Sequence, residues 1–395
     1  MKKKIIINIK HKRKMKKFLL LAATAAMVAS ATAQVPCEGT LKLDWKVAKD
    51  KLPAWADARQ GFGLNGKIYI QNKGTKSIEV YDQNGKTSEV LPTGGQNTAI
   101  SYDEAGNILV CNSAFPNAWR TDSTNFKIIA ADGKSFKDIT IKADGAVING
   151  RCDFLGKASG NLLSEDGGVL WVVGATNTGV VKVPVAEGAI DTDNVFEATV
   201  DGAAVAASSS TVVNAFTDAE GNAKMLYVSR SAAPVMLEGD ETLTGTAITL
   251  PNKGACNGAF PFTLGGYNLV AYPTLPNYLD GFAIAEAGAE APVVSHEAEF
   301  AVNPNAAQVN WVNVEPVDAL TANVYQYVPG GYIAKYTFTL NKSITGVDNA
   351  VAAKTVASVK YYNLAGIESA TPFSGVNVKV VNYTDGSKQA VKVVK

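Results

Sequence analysis

Residues 61–72 read GFGLNGKIYIQN, and this stretch decides the fold. The pair Asn65-Gly66 is a strong hairpin signal, because both central residues of a two-residue turn need positive φ and few residues tolerate it. After the pair, Lys67–Asn72 carries IYI in unbroken succession. Successive side chains of a strand point to opposite faces, so a continuous apolar run is covered on both. Such a strand belongs inside a stack of sheets.

The same design recurs along the chain. Residues 98–102 lead through Asp103 and Gly106 into 107–112. Residues 153–155 lead, less tidily, through 165–168 into 169–174. Residues 212–216 lead through 218–221 into 224–229, and 259–264 through Gly265-Gly266 into 267–272. A sixth unit, 309–313 with 322–327, lacks the glycine turn. Third strands follow at 77–82, 126–131, 179–185, 234–238, 281–285 and 332–339. Antiparallel four-stranded units about 40–60 residues apart, with no helical periodicity between them, describe the blades of an all-β β-propeller. Six blades are expected. The apolar segment 40–47, ahead of the first repeat, is expected to supply the outer strand of the sixth and close the ring. A pair of β-sandwiches is the competing arrangement.

The N-terminus has the layout of a secretory leader, residues 1–33. Lys16 and Lys17 precede an apolar run over 18–29, and Ala31-Thr32-Ala33 supplies the cleavage site. Met15 is the expected start. The run is shorter than the roughly 20 residues a bilayer span takes, so no transmembrane span is expected after leader removal; a retained anchor is the alternative. Nine of the 37 Lys and Arg, and none of the 36 Asp and Glu, lie in the leader, which leaves the exported chain at a formal −8. A negative chain without a basic run is repelled by phosphate backbones, which argues against a nucleic-acid partner. The periplasm, the outer surface or the extracellular space is the expected destination.

The propeller is expected over 34–341, a linker over 342–354 and a small β module over 355–395. In the last, 356–363, 376–383 and 389–394 read as strands. Val359-Lys360-Tyr361-Tyr362-Asn363-Leu364-Ala365-Gly366, then Pro372 with Gly375-Val376, then Lys392-Val393-Val394-Lys395, resembles the C-terminal sorting domains of the type IX secretion route. The resemblance implies an outer-membrane secretion machinery as partner of residues 355–395. It departs where those domains carry a Gly-(Val/Leu/Ile)-Tyr strand and this chain has Val376-Asn377-Val378.

Much chemistry is excluded. One of the two His, His11, lies in the leader, and His296 falls in an outer strand, 293–300, where an exposed position is expected. Ser–His–Asp catalysis and His-based metal sites therefore lack their residues. Gly85-Lys86-Thr87 and Gly133-Lys134-Ser135 look like phosphate-loop endings, but the required earlier glycine is Val80 in one and Ile128 in the other. Residues 191–194 lack the glycine and closing Glu of a calcium loop. No cofactor is expected. Four cysteines, Cys37, Cys111, Cys152 and Cys256, allow three pairings; Cys111 and Cys152 are expected to approach each other across neighbouring blades.

In a propeller the turns joining strands one–two and three–four lie on one face. The loops joining strands two–three, and blade to blade, lie on the other. Here the second class is long and varied, and loops on a rigid scaffold carry binding residues. Segment 113–125 holds Trp119 and Arg120; segment 273–280 holds Asn277 and Tyr278 and follows Tyr272. Aromatics beside amides and Arg suit stacking on a sugar or gripping a peptide; plugging the loops onto the blades is the competing role. Asn97, Asn149, Asn214, Asn257 and Asn310 each lie on or just before an innermost strand, with Arg151 nearby. They are candidates for a neutral polar pocket on the channel axis, although Asn also favours strand ends for local reasons. The expected function is non-enzymatic binding of a glycan or protein through the long-loop face. The alternative is a calcium-assisted hydrolase or lyase in the channel, for which the ring offers one acid, Asp153.

Overall fold

The computed structural model describes residues 37–52, 60–72, 75–92, 99–111, 123–134, 136–142, 148, 152–208, 210–230, 232–254, 258–276, 279–299, 311–341, 356–363, 366–383 and 388–394. The segments expected to be leader and linker, 1–33 and 342–354, lie outside them.

β1 (Glu38–Ala48) precedes the first blade. Blade 1 is β2 (Gly61–Leu64), β3 (Lys67–Asn72), β4 (Ser77–Asp82) and β5 (Gly85–Pro92). Blade 2 is β6 (Ala99–Tyr102), β7 (Ile108–Cys111), β8 (Ser123–Ile129) and β9 (Phe136–Lys142). Blade 3 is β10 (Ser159–Gly160), β11 (Gly168–Val172) and β12 (Val180–Ala186), with a short hairpin partner β13 (Ala189–Ile190), then β14 (Phe196–Asp201). Blade 4 is β15 (Val212–Thr217), β16 (Ala223–Val228), β17 (Val235–Gly239) and β18 (Thr242–Ala247). Blade 5 is β19 (Phe260–Leu264), β20 (Tyr267–Pro273), β21 (Phe282–Glu286) and β22 (Val294–His296). Blade 6 is β23 (Trp311–Pro316), β24 (Thr321–Val328) and β25 (Tyr332–Asn341), completed by β1.

The described residues thus form a six-bladed propeller, closed as the sequence predicts. β1 pairs antiparallel with β25 from Glu38↔Asn341 to Ala48↔Tyr332. β1 thereby covers the edge of β25 and becomes the outer strand of the blade; an uncovered β25 would invite pairing with other chains. One pairing was not legible beforehand: β14 and β18, the outer strands of blades 3 and 4, run parallel and join the two blades into one sheet.

The turn chemistry is what the sequence requires. Asn65 and Gly66 have φ of 52° and 77°, as a two-residue hairpin demands. Two longer turns share an Asp-x-x-Gly-Asn pattern. The Asp103 carboxylate accepts the Ala105 and Asn107 N–H groups at 3.0 and 2.9 Å, and Asp218 accepts those of Glu220 and Asn222 at 3.1 and 2.7 Å. Blade 6 has no glycine there; Asp318 instead accepts Leu320 N and Thr321 N, both at 2.8 Å.

The inner strand of blade 3 differs from the sequence expectation. Residues 153–155 were expected to pair with the second strand of their own blade, yet ladder pairing begins only at Ser159. The segment before it is stitched to the neighbours. Ala158 N donates to Tyr102 O at 3.0 Å, and Lys157 O accepts Ala215 N at 2.9 Å. Gly156 permits this, since a Cβ there would come within 1.8 Å of Val213 O.

The predicted second strands are buried on both faces, with Ile68, Ile70, Leu109, Val110, Leu226 and Val270 each at most 1% exposed. Burial of such side chains contributes about 1.5–3 kcal/mol each, so the stack is the main source of stability. At the C-terminus, β26 (Val356–Asn363), β27 (Glu368–Ser369), β28 (Val376–Tyr383) and β29 (Lys388–Val394) form a sheet of their own. Asn377, where the chain departs from the sorting-domain pattern, is fully buried there. Its Nδ2 donates to Phe373 O and Gly375 O at 2.8 Å, and its Oδ1 accepts Phe373 N at 2.7 Å.

Candidate functional site

Three connections of the long-loop face meet between blades 4 and 5. The β16–β17 connection brings Arg230 and Pro234, the β18–β19 connection brings Leu250 and Lys253, and the β20–β21 connection brings Leu275. Together they line an open, shallow cavity of about 400 Å³. Backbone bonds fix its walls: Ile248 N donates to Pro234 O at 2.9 Å, Gly254 N to Pro273 O at 2.9 Å, and Leu275 N to Asn252 O at 2.8 Å. Asn252 holds a left-handed φ of 53° to make the last of these. Asn tolerates that conformation better than most residues.

Tyr272, singled out from sequence as a ligand contact, shapes this wall from behind. Its ring is fully buried, and its hydroxyl donates to Pro251 O at 2.8 Å. It anchors the turn that carries Lys253 and leaves no surface for a ligand.

The lining sets what the cavity can hold. Pro234, Ile248 and Leu250 form an aliphatic wall, and Leu275 stands 52% exposed at its edge. Arg230 and Lys253 bring two positive charges, and no acidic or aromatic side chain is among the described residues that line it. Lys253 Nζ donates to Gly254 O at 3.1 Å, which occupies one of its three donors. An aliphatic group flanked by an anion fits this surface by both apolar contact and charge.

The other ligand candidates, Trp119, Arg120, Asn277, Tyr278, Asn97, Asn149, Arg151, Asn257 and Asn310, lie outside the described residues. Of the proposed ring, Asn214 is described, and its amide is committed to the scaffold. Oδ1 accepts Lys157 N at 2.9 Å and Nδ2 donates to Ala259 O at 3.0 Å, so Asn214 joins blades 3, 4 and 5. Two further amides that the sequence reading missed do the same. Gln60 donates to Leu155 O at 2.7 Å and accepts Ile100 N at 3.0 Å. Asn313 clasps Gly63 between its amide ends. A buried amide must be satisfied, and here each is satisfied by the backbone of adjacent blades.

His296 departs from the expected exposure. Its ring is packed 5.2 Å from Phe282 and 5.5 Å from Tyr336, with Nε2 4.0 Å from Asp280 Oδ2. Burial pushes its pKa down and outweighs the opposing pull of Asp280. Asp280 is fully buried, accepting the Tyr332 hydroxyl at 2.5 Å and Glu299 N at 2.7 Å. The cluster is a joint between blades 5 and 6, because these partners come from β22, β25 and the approach to β21. Asp153, the acid of the enzymatic alternative, is also buried. Among the described residues, no three His, Cys, Asp or Glu side chains are grouped to hold a metal ion, and no helix is long and apolar enough to cross a membrane.

No protein-family profile matches the chain, and no curated protein matches it. Solved structures do. A DUF4623 family protein from Bacteroides eggerthii is similar at TM-score 0.55 and 11% identity, over 78% of each chain. A structural-genomics protein of unknown function from Bacteroides thetaiotaomicron is similar at 0.45 and 9%, over 76% of each. A streptogramin B lyase is similar at 0.43 and 11%, over 77% of this chain and 98% of its own. At such identities the likeness concerns the fold alone.

Proposed function

We propose that this chain is an exported, non-enzymatic propeller that binds a glycan or protein through its long-loop face. The reading assigns residues 34–341 to the working propeller and 355–395 to an address read by an outer-membrane secretion machinery, with a destination in the periplasm, on the outer surface or outside the cell. The observation that carries it is the cavity between blades 4 and 5. It lies on the face with the longer loops, its walls are fixed by backbone bonds, and it presents two cations beside an exposed leucine. A surface of this kind on a rigid scaffold is a default binding site.

The test is a screen of the exported chain against polysaccharide and cell-surface protein extracts, followed by Leu275→Ala and Lys253→Ala. Truncation of a true anchor costs about 2 kcal/mol or more, roughly a thirtyfold loss of affinity. Lost binding with an unchanged melting temperature supports the reading. Binding retained in both variants rejects this cavity as the site.

A further inference from the structure

The opposite face, where the one–two turns gather, holds a second cavity of about 220 Å³. The C-terminal ends of β2, β6 and β23 converge on it, and Leu64, Tyr102, Val314 and Pro316 line part of its wall. Among the described residues that line it, Lys157, from the stitched segment of blade 3, is the one base, and Asp103, Glu104 and Glu315 are the acids.

Those acids are occupied by the scaffold. Asp103 accepts four donors, from Ala105 N, Asn107 N, Asn107 Nδ2 and Leu162 N, at 2.8–3.0 Å. Glu104 Oε2 accepts Gly160 N at 2.9 Å. Glu315 accepts Asn65 N at 2.9 Å, the Tyr325 hydroxyl at 2.6 Å and Asn323 Nδ2 at 3.2 Å. Lys157 makes no ion pair within 4.0 Å and no side-chain hydrogen bond among the described residues. Its backbone is nonetheless rigid: its N–H donates to Asn214 Oδ1 and its carbonyl accepts Ala215 N, both at 2.9 Å. The result is a primary amine on a fixed stem, partly buried, in a small cavity and without a committed partner.

Burial lowers the Lys157 pKa, with the nearby Glu104 and Asp103 charges opposing. Desolvation disfavours the ammonium and enlarges the fraction of neutral amine, the nucleophilic form. The cavity, about 220 Å³ and partly open to solvent, has room for a small carbonyl compound beside the amine.

We propose that Lys157 captures a small aldehyde or ketone, such as an open-chain hydroxyaldehyde, as a reversible imine in this cavity. The Nζ lone pair forms a bond to the carbonyl carbon, the π pair moves to oxygen, and a proton passes from nitrogen to that oxygen. The C–O bond then breaks as nitrogen forms C=N, the departing hydroxyl takes the second proton from nitrogen, and water leaves. Amine and carbonyl compound give imine and water, with no oxidant or reductant consumed. The fixed carboxylates of Asp103 and Glu104 favour the protonated, cationic imine.

The experiment incubates the full chain with glyceraldehyde and sodium cyanoborohydride, then maps modified lysines by mass spectrometry. Lys42 and Lys134, both exposed, serve as references. Lys157 is expected to be labelled at least tenfold faster than either, and prior unfolding should erase the preference. Lys157→Arg should remove the fast-labelling site without lowering the melting temperature or altering ligand binding at the long-loop face. Labelling of Lys157 at or below the rate of the two references in the folded chain overturns the proposal.

Discussion

Asn313 holds Gly63 by both ends of its amide: Gly63 N donates to Oδ1, and Nδ2 donates to Gly63 O, each at 2.7 Å. The contact joins the inner strand of blade 6 to that of blade 1, across the seam where the ring closes. Gly63 is required there, because a Cβ would fall within 1.8 Å of the Tyr325 side chain. Asn313→Ala strips a donor and an acceptor from a buried backbone unit, and each unsatisfied group costs about 1–3 kcal/mol. A loss of about 2–6 kcal/mol in denaturant unfolding is expected. A loss below about 0.5 kcal/mol, the range of ordinary surface substitutions, would show that the clasp is not needed.

The second seam element is β1. Its removal, as a chain lacking residues 34–48, exposes the β25 ladder along its length. The truncated protein is expected to unfold at least several degrees earlier and to self-associate through the open edge. A monomer with unchanged thermal unfolding would contradict closure by β1.

Acid should loosen the joint between blades 5 and 6. His296 is held below its ordinary pKa by burial, so between about 6.5 and the lower folded value the unfolded chain binds the extra proton. The His296 contribution is therefore complete above pH 6.5 and lost as pH falls through that window, by at most about 1.4 kcal/mol per pH unit. His296→Phe should flatten this part of the stability profile. A wild-type profile no steeper than that of the variant from pH 7.5 to 5 would contradict the assignment.

Cys111 and Cys152, candidates for a bridge across neighbouring blades, are buried in one cluster that links blades 2 and 3, with no disulfide between them. Burial, and the neighbouring Cys111, raise the Cys152 pKa, and its thiol donates to Phe154 O at 3.1 Å. The thiolate is the reactive form, so iodoacetamide should leave Cys152 unmodified in the native protein and modify it after reductive unfolding. Rapid native alkylation would show that this interface opens.

The sequence revealed what depends on local chemistry. Asn65-Gly66 fixes its hairpin through φ alone, and IYI and NLVAY declare burial on both faces by composition. The unpaired apolar run at 40–47 had one place to go once six blades were counted. Blade 3 resisted because its inner segment bonds to neighbouring blades, and a repeat template sees only bonds within a repeat. Asn313 left a readable signal, a lone amide between Val312 and Val314 in a buried strand, where only a hydrogen-bonded role is tolerable. Arg230 and Lys253 left none: they come from different connections, and their convergence is set by how blades 4 and 5 pack. Tyr272 was legible as important, but its hydroxyl points to Pro251 rather than to a ligand.

The most direct test of the binding account is hydrogen exchange measured by mass spectrometry on the full chain, with and without the ligand captured in the screen. The account predicts slowed exchange in peptides covering 230–234, 248–254 and 274–276, with none in the turn-face peptides covering 103–106 and 218–221. Protection confined to the turn-face peptides, or absent from all of these segments despite saturating ligand, would contradict it.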